Sequence, residues 1–152
     1  MKKGKTIVFH GRPIVKGEAR AAAAVSHGGF NPLASIVTAG TPINRNGRCM
    51  DQNNPDLYKK VVTGKALCLP EIIGSTTGGM VLYSVCRNGY GPACMLFSKR
   101  ADTLGVSGAV LLANWSEQPL VVIDELGEAF LQCVREGMTI TAKPDGTVIL
   151  EG

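Results

Sequence analysis

At 152 residues, with 45% hydrophobic and 18% charged side chains, the chain suits one globular domain and excludes a disordered one. Its formal net charge of +4 is spread over scattered basic residues, with doublets at Lys2-Lys3, Lys59-Lys60 and Lys99-Arg100, and aromatics make up only 5%. That leaves neither a basic block nor a stacking platform for nucleic acid, and no apolar run approaches the length of a membrane span.

The five cysteines, Cys49, Cys68, Cys86, Cys94 and Cys133, are odd in number and contain no C-x-x-C pair. Several lie inside apolar runs, where a free thiol behaves as a small hydrophobe, which points to a reducing compartment and not to a disulfide framework. No apolar stretch of signal-peptide type follows the N-terminal lysines, so a cytoplasmic protein is expected.

In chain order, residues 5–15 (KTIVFHGRPIV) predict a β-rich segment closed by a turn at Lys16-Gly17. Residues 18–25 (EARAAAAV) are helical by alanine propensity, yet the flanking glycine and the preceding strand favour a hairpin partner, and a strand is expected. Residues 26–55 are rich in Gly, Asn and Pro; so long a stretch with little regular structure is expected to be functional or to wrap another surface. Residues 66–73 are an apolar run suited to one buried strand. It breaks at Gly74-Ser75-Thr76-Thr77-Gly78-Gly79 and resumes as a helix from Met80 to the stop at Arg87-Asn88-Gly89. Residues 92–98 predict a second buried strand, and 101–113 a helix whose Gly105 and Gly108 allow close packing. Residues 119–123 predict a third strand, ended by Asp124, and 126–136 a helix stopped at Gly137. The C-terminal residues 138–150 alternate around Pro144-Asp145-Gly146, the pattern of a β-hairpin. Strands alternating with helices imply an α/β fold, with a parallel βαβαβ core and the β-rich ends as a separate layer, in one domain over residues 1–152.

Little chemistry survives a search for motifs. The glycines at 74–79 come without the lysine of a phosphate-binding P-loop, and Gly89-Tyr90-Gly91 precedes a strand, the wrong context for a dinucleotide fingerprint. The cysteine spacings match no closed metal site. His10 and His27 lie far apart and read as surface or hydrogen-bonded residues, while Asp51 and Asp56 read as turn-formers. What remains is Ser75-Thr76-Thr77 between Gly74 and Gly78. Strand, glycine-rich turn and helix in that order present free N–H groups and hydroxyls to an anion, though an ordinary capped turn has the same pattern. A serine acts as a base only where its alkoxide is stabilised, by N–H groups, a helix N-terminus or a cation. The turn offers the first two and no metal, which suggests half an active site.

The ordered motifs carry a resemblance. They are Gly11-Arg12, Gly17-Glu18-Ala19, a long loop to Asp51, Val62-Thr63-Gly64-Lys65-Ala66-Leu67 and Gly74-Ser75-Thr76-Thr77-Gly78, followed by Arg87-Asn88-Gly89, Gly91-Pro92-Ala93, Ala101-Asp102 and Pro119-Leu120-Val121-Val122. From about Gly11 to the C-terminal hairpin the chain resembles the small, swivelling subunit of the aconitase X family of hydro-lyases. The resemblance implies an aconitase-type swivelling domain of β/β/α layers, paired with a large subunit that holds iron or an iron–sulfur cluster. It implies dehydration of a small carboxylate, with Ser75 as the proton-abstracting base and Gly74, Thr76, Thr77 and Gly78 as substrate-binding positions. The bacterial branch acts on cis-3-hydroxy-L-proline and is the expected one; mevalonate 5-phosphate, the archaeal substrate, and a non-catalytic swivel domain are the alternatives. Many relatives carry Ser-Phe-Trp-Gly-Gly in the long loop where this chain has Asn31-Pro32-Leu33-Ala34-Ser35, and Ser-Ser-Thr-Gly-Ser after the glycine where this chain has Ser-Thr-Thr-Gly-Gly.

Overall fold

The computed structural model describes residues 4–74, 77–115 and 119–152. The three apolar runs form strands β4 (Ala66–Leu69), β5 (Cys94–Phe97) and β6 (Val121–Asp124), and every residue in them is buried. They pair in parallel, with Ala66 opposite Cys94 and Cys94 opposite Val121. Helices α2 (Thr77–Arg87) and α3 (Thr103–Trp115) make the crossovers. Strands buried on both faces read as unbroken apolar runs, which is why this βαβαβ core was legible in the sequence.

The alanine-rich segment is strand β3 (Ala19–Val25), parallel to β4 on one side and antiparallel to β7 (Thr139–Ala142) on the other. Pairing on both edges overrides alanine's helix propensity, and the small side chains suit a strand packed on both faces. Strand β7 returns through the Pro144-Asp145-Gly146 turn as β8 (Thr147–Glu151). The β-rich N-terminus divides at Gly11 into β1 (Thr6–His10), which pairs with β8, and β2 (Arg12–Val15), which pairs with β6.

The resulting sheet has the order β1-β8-β7-β3-β4-β5-β6-β2. Its two edge strands are neighbours in sequence, joined by Gly11 alone, so the sheet must curl until its edges meet. The seam is tight. The Gly11 N–H donates to the Gly146 carbonyl at 2.9 Å, and a Cβ on Gly11 would lie 2.5 Å from the Asp124 carbonyl oxygen. One apolar core fills the curl beneath α4 (Glu128–Cys133), centred on Phe130, which meets Phe9 edge-on at 5.6 Å. Burying such a ring contributes roughly 2–3 kcal/mol. A second core joins the other face of the sheet to α2, α3 and the short α1 (Pro32–Ile36). This is the β/β/α layering expected of a swivelling domain.

Several boundaries differ from expectation. Helix α2 begins at Thr77, so part of the glycine-rich turn is helical; β4 is shorter than the apolar run; and α4 stops at Cys133 because Val134 is extended. The long loop also has its own framework. Asn44 donates to the Arg48 carbonyl and accepts from the Arg48 N–H, both at 2.8 Å, and Asn54 donates to the Ser26 hydroxyl at 3.0 Å while accepting from Leu57 N–H. Buried asparagines thus stand in for the missing ladder bonds.

Candidate active site

Beyond Leu69 the chain stays alongside the first residues of the long loop. Phe30 N–H donates to the Glu71 carbonyl and Ile73 N–H to the Phe30 carbonyl, both at 2.9 Å. This pairing delivers the backbone to Gly74, whose φ of +107° is a conformation other residues adopt only with strain. A Cβ there would also sit 2.9 Å from the Asn31 Oδ1. Asn31 is itself fixed as the cap of α1, accepting from Ala34 N–H at 3.2 Å.

On the far side of the turn, Gly78 and Gly79 are buried in the first turn of α2. A Cβ on Gly78 would lie 3.5 Å from the Pro32 ring, and one on Gly108 of α3 would overlap the Gly79 carbonyl oxygen. The start of α2 therefore lies between α1, which Gly78 meets at ordinary contact distance, and α3, which comes so close to Gly79 that Gly108 leaves no room for a side chain. Thr77, the first helical residue, is exposed. No acidic side chain stands in this first turn, so the positive end of the helix is not neutralised from within. Ser75 and Thr76 lie outside the described residues. The structure thus brings Gly74, Thr77 and Gly78 to one short turn, and adds Asn31, which sequence reasoning had noted only as a departure from the family pattern.

The junction after β5 is finished differently. Asp124, fully buried at the end of β6, accepts from Arg12 Nε at 2.9 Å and from a terminal guanidinium nitrogen at 2.7 Å. It also accepts from Ala101 N–H at 2.7 Å, two residues ahead of α3. The carboxylate raises the Arg12 pKa further, chiefly through these hydrogen bonds. The sequence marked Asp124 only as a strand end; Gly11-Arg12 was the signal for its partner.

Between the carboxyl ends of β3, β4 and β5 and helix α4 lies a cavity of about 450 Å³, bordered by Gly28, Gly29, Glu71, Ser98, Lys99 and Glu128. At its edge the exposed His27 is tied to Asp56: the backbone N–H donates to Asp56 Oδ2 at 2.8 Å and Nδ1 lies 3.2 Å from the same oxygen. Asp51 accepts from Asn53 N–H at 2.9 Å, the turn-forming role expected of it.

Burial pushes the thiols of Cys86 and Cys94 up to about 12 and that of Cys68 well above its ordinary value. Such thiols stay protonated and make poor nucleophiles or metal ligands. Among the described residues no three His, Cys, Asp or Glu side chains gather into a group that could hold a metal ion. No described helix is long and apolar enough to cross a membrane.

Fold and turn together define a β/β/α swivelling domain with a glycine-framed turn opening its second helix. Residues 8–150 match the aconitase X swivel domain, and the chain belongs to that family. It is 26% identical to the phosphomevalonate dehydratase small subunit of Aeropyrum pernix, over 95% of this chain and 93% of the relative. It is 27% identical to the protein of the same description from Methanothermobacter thermautotrophicus, over 88% and 92% of the two chains. The fold also matches the crystal structure of Thermococcus kodakaraensis aconitase X in its holo form, with a TM-score of 0.78 at 22% identity, over 95% of this chain and 98% of that one.

Proposed function

We propose that this chain is the small subunit of a heteromeric hydro-lyase of the aconitase X family, and that its substrate is mevalonate 5-phosphate. The observation that carries the reading is the near end-to-end similarity to phosphomevalonate dehydratase small subunits. Hydroxyproline, the substrate expected first from the sequence, draws no support from these relatives. That expectation rested on the lack of a second clear phosphate cradle in the sequence and on its cysteine-rich composition. Composition is set by solubility and core packing and says little about a substrate.

The chemistry is a β-elimination. The C–H bond next to the carboxylate breaks, its electron pair forms the double bond, and the β-hydroxyl departs with a proton as water. Ser75, by its place in the motif, takes the carbon-bound proton. The positive end of α2 favours negative charge on that oxygen, and the absence of an acid from the first turn preserves the effect. Gly74, Thr76, Thr77 and Gly78 would hold the substrate carboxylate, with Asn31 fixing the turn. An iron centre on the large subunit would act as Lewis acid on the departing hydroxyl. The test is to assay the chain alone and combined with its large partner, on mevalonate 5-phosphate and cis-3-hydroxy-L-proline side by side. Turnover of the phosphate only in the combined sample is expected. Turnover of hydroxyproline alone would overturn the substrate, and full activity of the isolated chain would overturn the half-site.

A further inference from the structure

The long loop between Ile43 and Lys59 has no role in the elimination just described. It borders a cavity of about 320 Å³ with the side chains of Arg45, Arg48 and Lys59. None of the three pairs with a described carboxylate, whereas Arg12, Arg20, Lys60 and Lys99 each do. The loop's own acids are engaged elsewhere: Asp51 accepts from Asn53 N–H, and Asp56 from His27 N–H. Lys59 Nζ lies 5.3 Å from the centre of the Tyr58 ring, a contact that leaves its charge in place. These cations stand on a fixed backbone. Asn44 holds both the N–H and the carbonyl of Arg48, and Gly47 lies so close to the Thr63 hydroxyl that a Cβ has no room. Lys59 keeps a left-handed φ of +67°, uncommon for a residue with a side chain, while its N–H donates to the Cys49 carbonyl at 2.7 Å.

Large apolar side chains stand beside the charges. Ile43 is 81% exposed, and the exposed Met50 borders the same cavity. Met50 N–H donates to the Ser35 carbonyl at 2.9 Å, which ties the loop to α1, where Leu33 and Val37 are exposed one turn apart. The start of α1 meets the glycine-rich turn through Asn31 and Pro32, and Ile73 and Met80 on either side of that turn are exposed as well. Exposed apolar residues thus continue from the half-site to the basic loop. A small phosphate would use the cations and leave Ile43 and Met50 in water. A protein surface covers both, and its carboxylates would meet cations already held in place, at little cost in ordering. We infer that this loop docks an acidic segment of the large subunit: Arg45, Arg48 and Lys59 meet its carboxylates, and Ile43 and Met50 are covered by it. The inference rests on the reading that a large subunit completes the turn, and it adds a second place where that subunit is held.

Isothermal titration calorimetry of the full chain against the large subunit, at low and at high ionic strength, tests this. Arg45→Glu and Arg48→Glu are each expected to weaken association about tenfold or more at low ionic strength, and the gap should close as salt screens the charges. Ile43→Ser should weaken it alike at both ionic strengths. Lys143→Glu makes the same charge change on the exposed C-terminal hairpin and should leave the affinity within about twofold. Circular dichroism checks that each variant is folded. Loop variants that bind as well as Lys143→Glu would overturn the docking site and leave the half-site standing. Inorganic phosphate binding that Arg48→Glu abolishes, with association unchanged, would assign the cavity to a small anion and overturn the docking site too. Failure of the unsubstituted chain to bind the large subunit at all would overturn both readings.

Discussion

The junctions after β4 and after β5 lie side by side in one parallel sheet and are finished in opposite ways. After β5 the chain supplies its own anion: buried Asp124 accepts from the Ala101 amide and from Arg12 across the seam of the curled sheet. After β4 it supplies glycines and a helix whose first turn holds no acidic residue, with Asn31 beside Gly74 and Pro32 beside Gly78. A junction whose donors are consumed internally is architecture. One that brings no acid of its own to the start of the helix leaves the positive end of that helix to an anion from outside.

That contrast can be broken from either side. Asp124→Ala should have the largest effect on stability, about 2 kcal/mol from lost charge-assisted hydrogen bonds, moderated because Arg12 is partly exposed. Urea denaturation measures it, and a loss near zero would mean that the pair does not lock the junction. Gly74→Ala should cost less, about 1 kcal/mol for the left-handed backbone, but should lower turnover of the assembled enzyme far more than it lowers stability. Loss of stability in step with activity would make Gly74 a purely structural residue.

The smallest effect is one of pH. Burial raises the Cys94 thiol to about 12 from an ordinary value of 9.0. The folded state therefore keeps a proton that the unfolded state releases, and this contribution to stability is present below about pH 9 and declines as pH rises toward 12. Cys94→Ala should flatten that alkaline decline in a denaturation series. An unchanged slope would show that other groups produce it.

The parallel core was legible because strands buried on two faces must be continuously apolar, and the C-terminal hairpin because its turn needs proline, aspartate and glycine in that order. The curl of the sheet was not. It depends on one residue, Gly11, separating two strands that pair 112 positions further along (Arg12 with Asp124) and at the other sheet edge with β8. Short sequence windows do not carry such long-range pairing. The alanine segment is a strand as expected, but not the hairpin partner of the strand before it: β3 pairs with β4 and β7, while β2 pairs with β6. At the site, Gly74 and Gly78 stood out because glycine has conformational meaning by itself. Asn31 did not, since a polar side chain becomes informative only when its burial and partners are known. The choice between the two substrates was not legible for a related reason: nothing local to the turn distinguishes one β-hydroxy carboxylate from another.

The central claim is that the turn after β4 supplies the base of a site completed by another polypeptide. Replacing Ser75 by Ala and measuring kcat of the enzyme assembled with its large subunit tests it directly, with size-exclusion chromatography to verify assembly. Removal of a general base is expected to lower kcat by about 100-fold or more while the heteromer still forms. Turnover at the unsubstituted rate in a fully assembled Ser75→Ala enzyme would contradict the account.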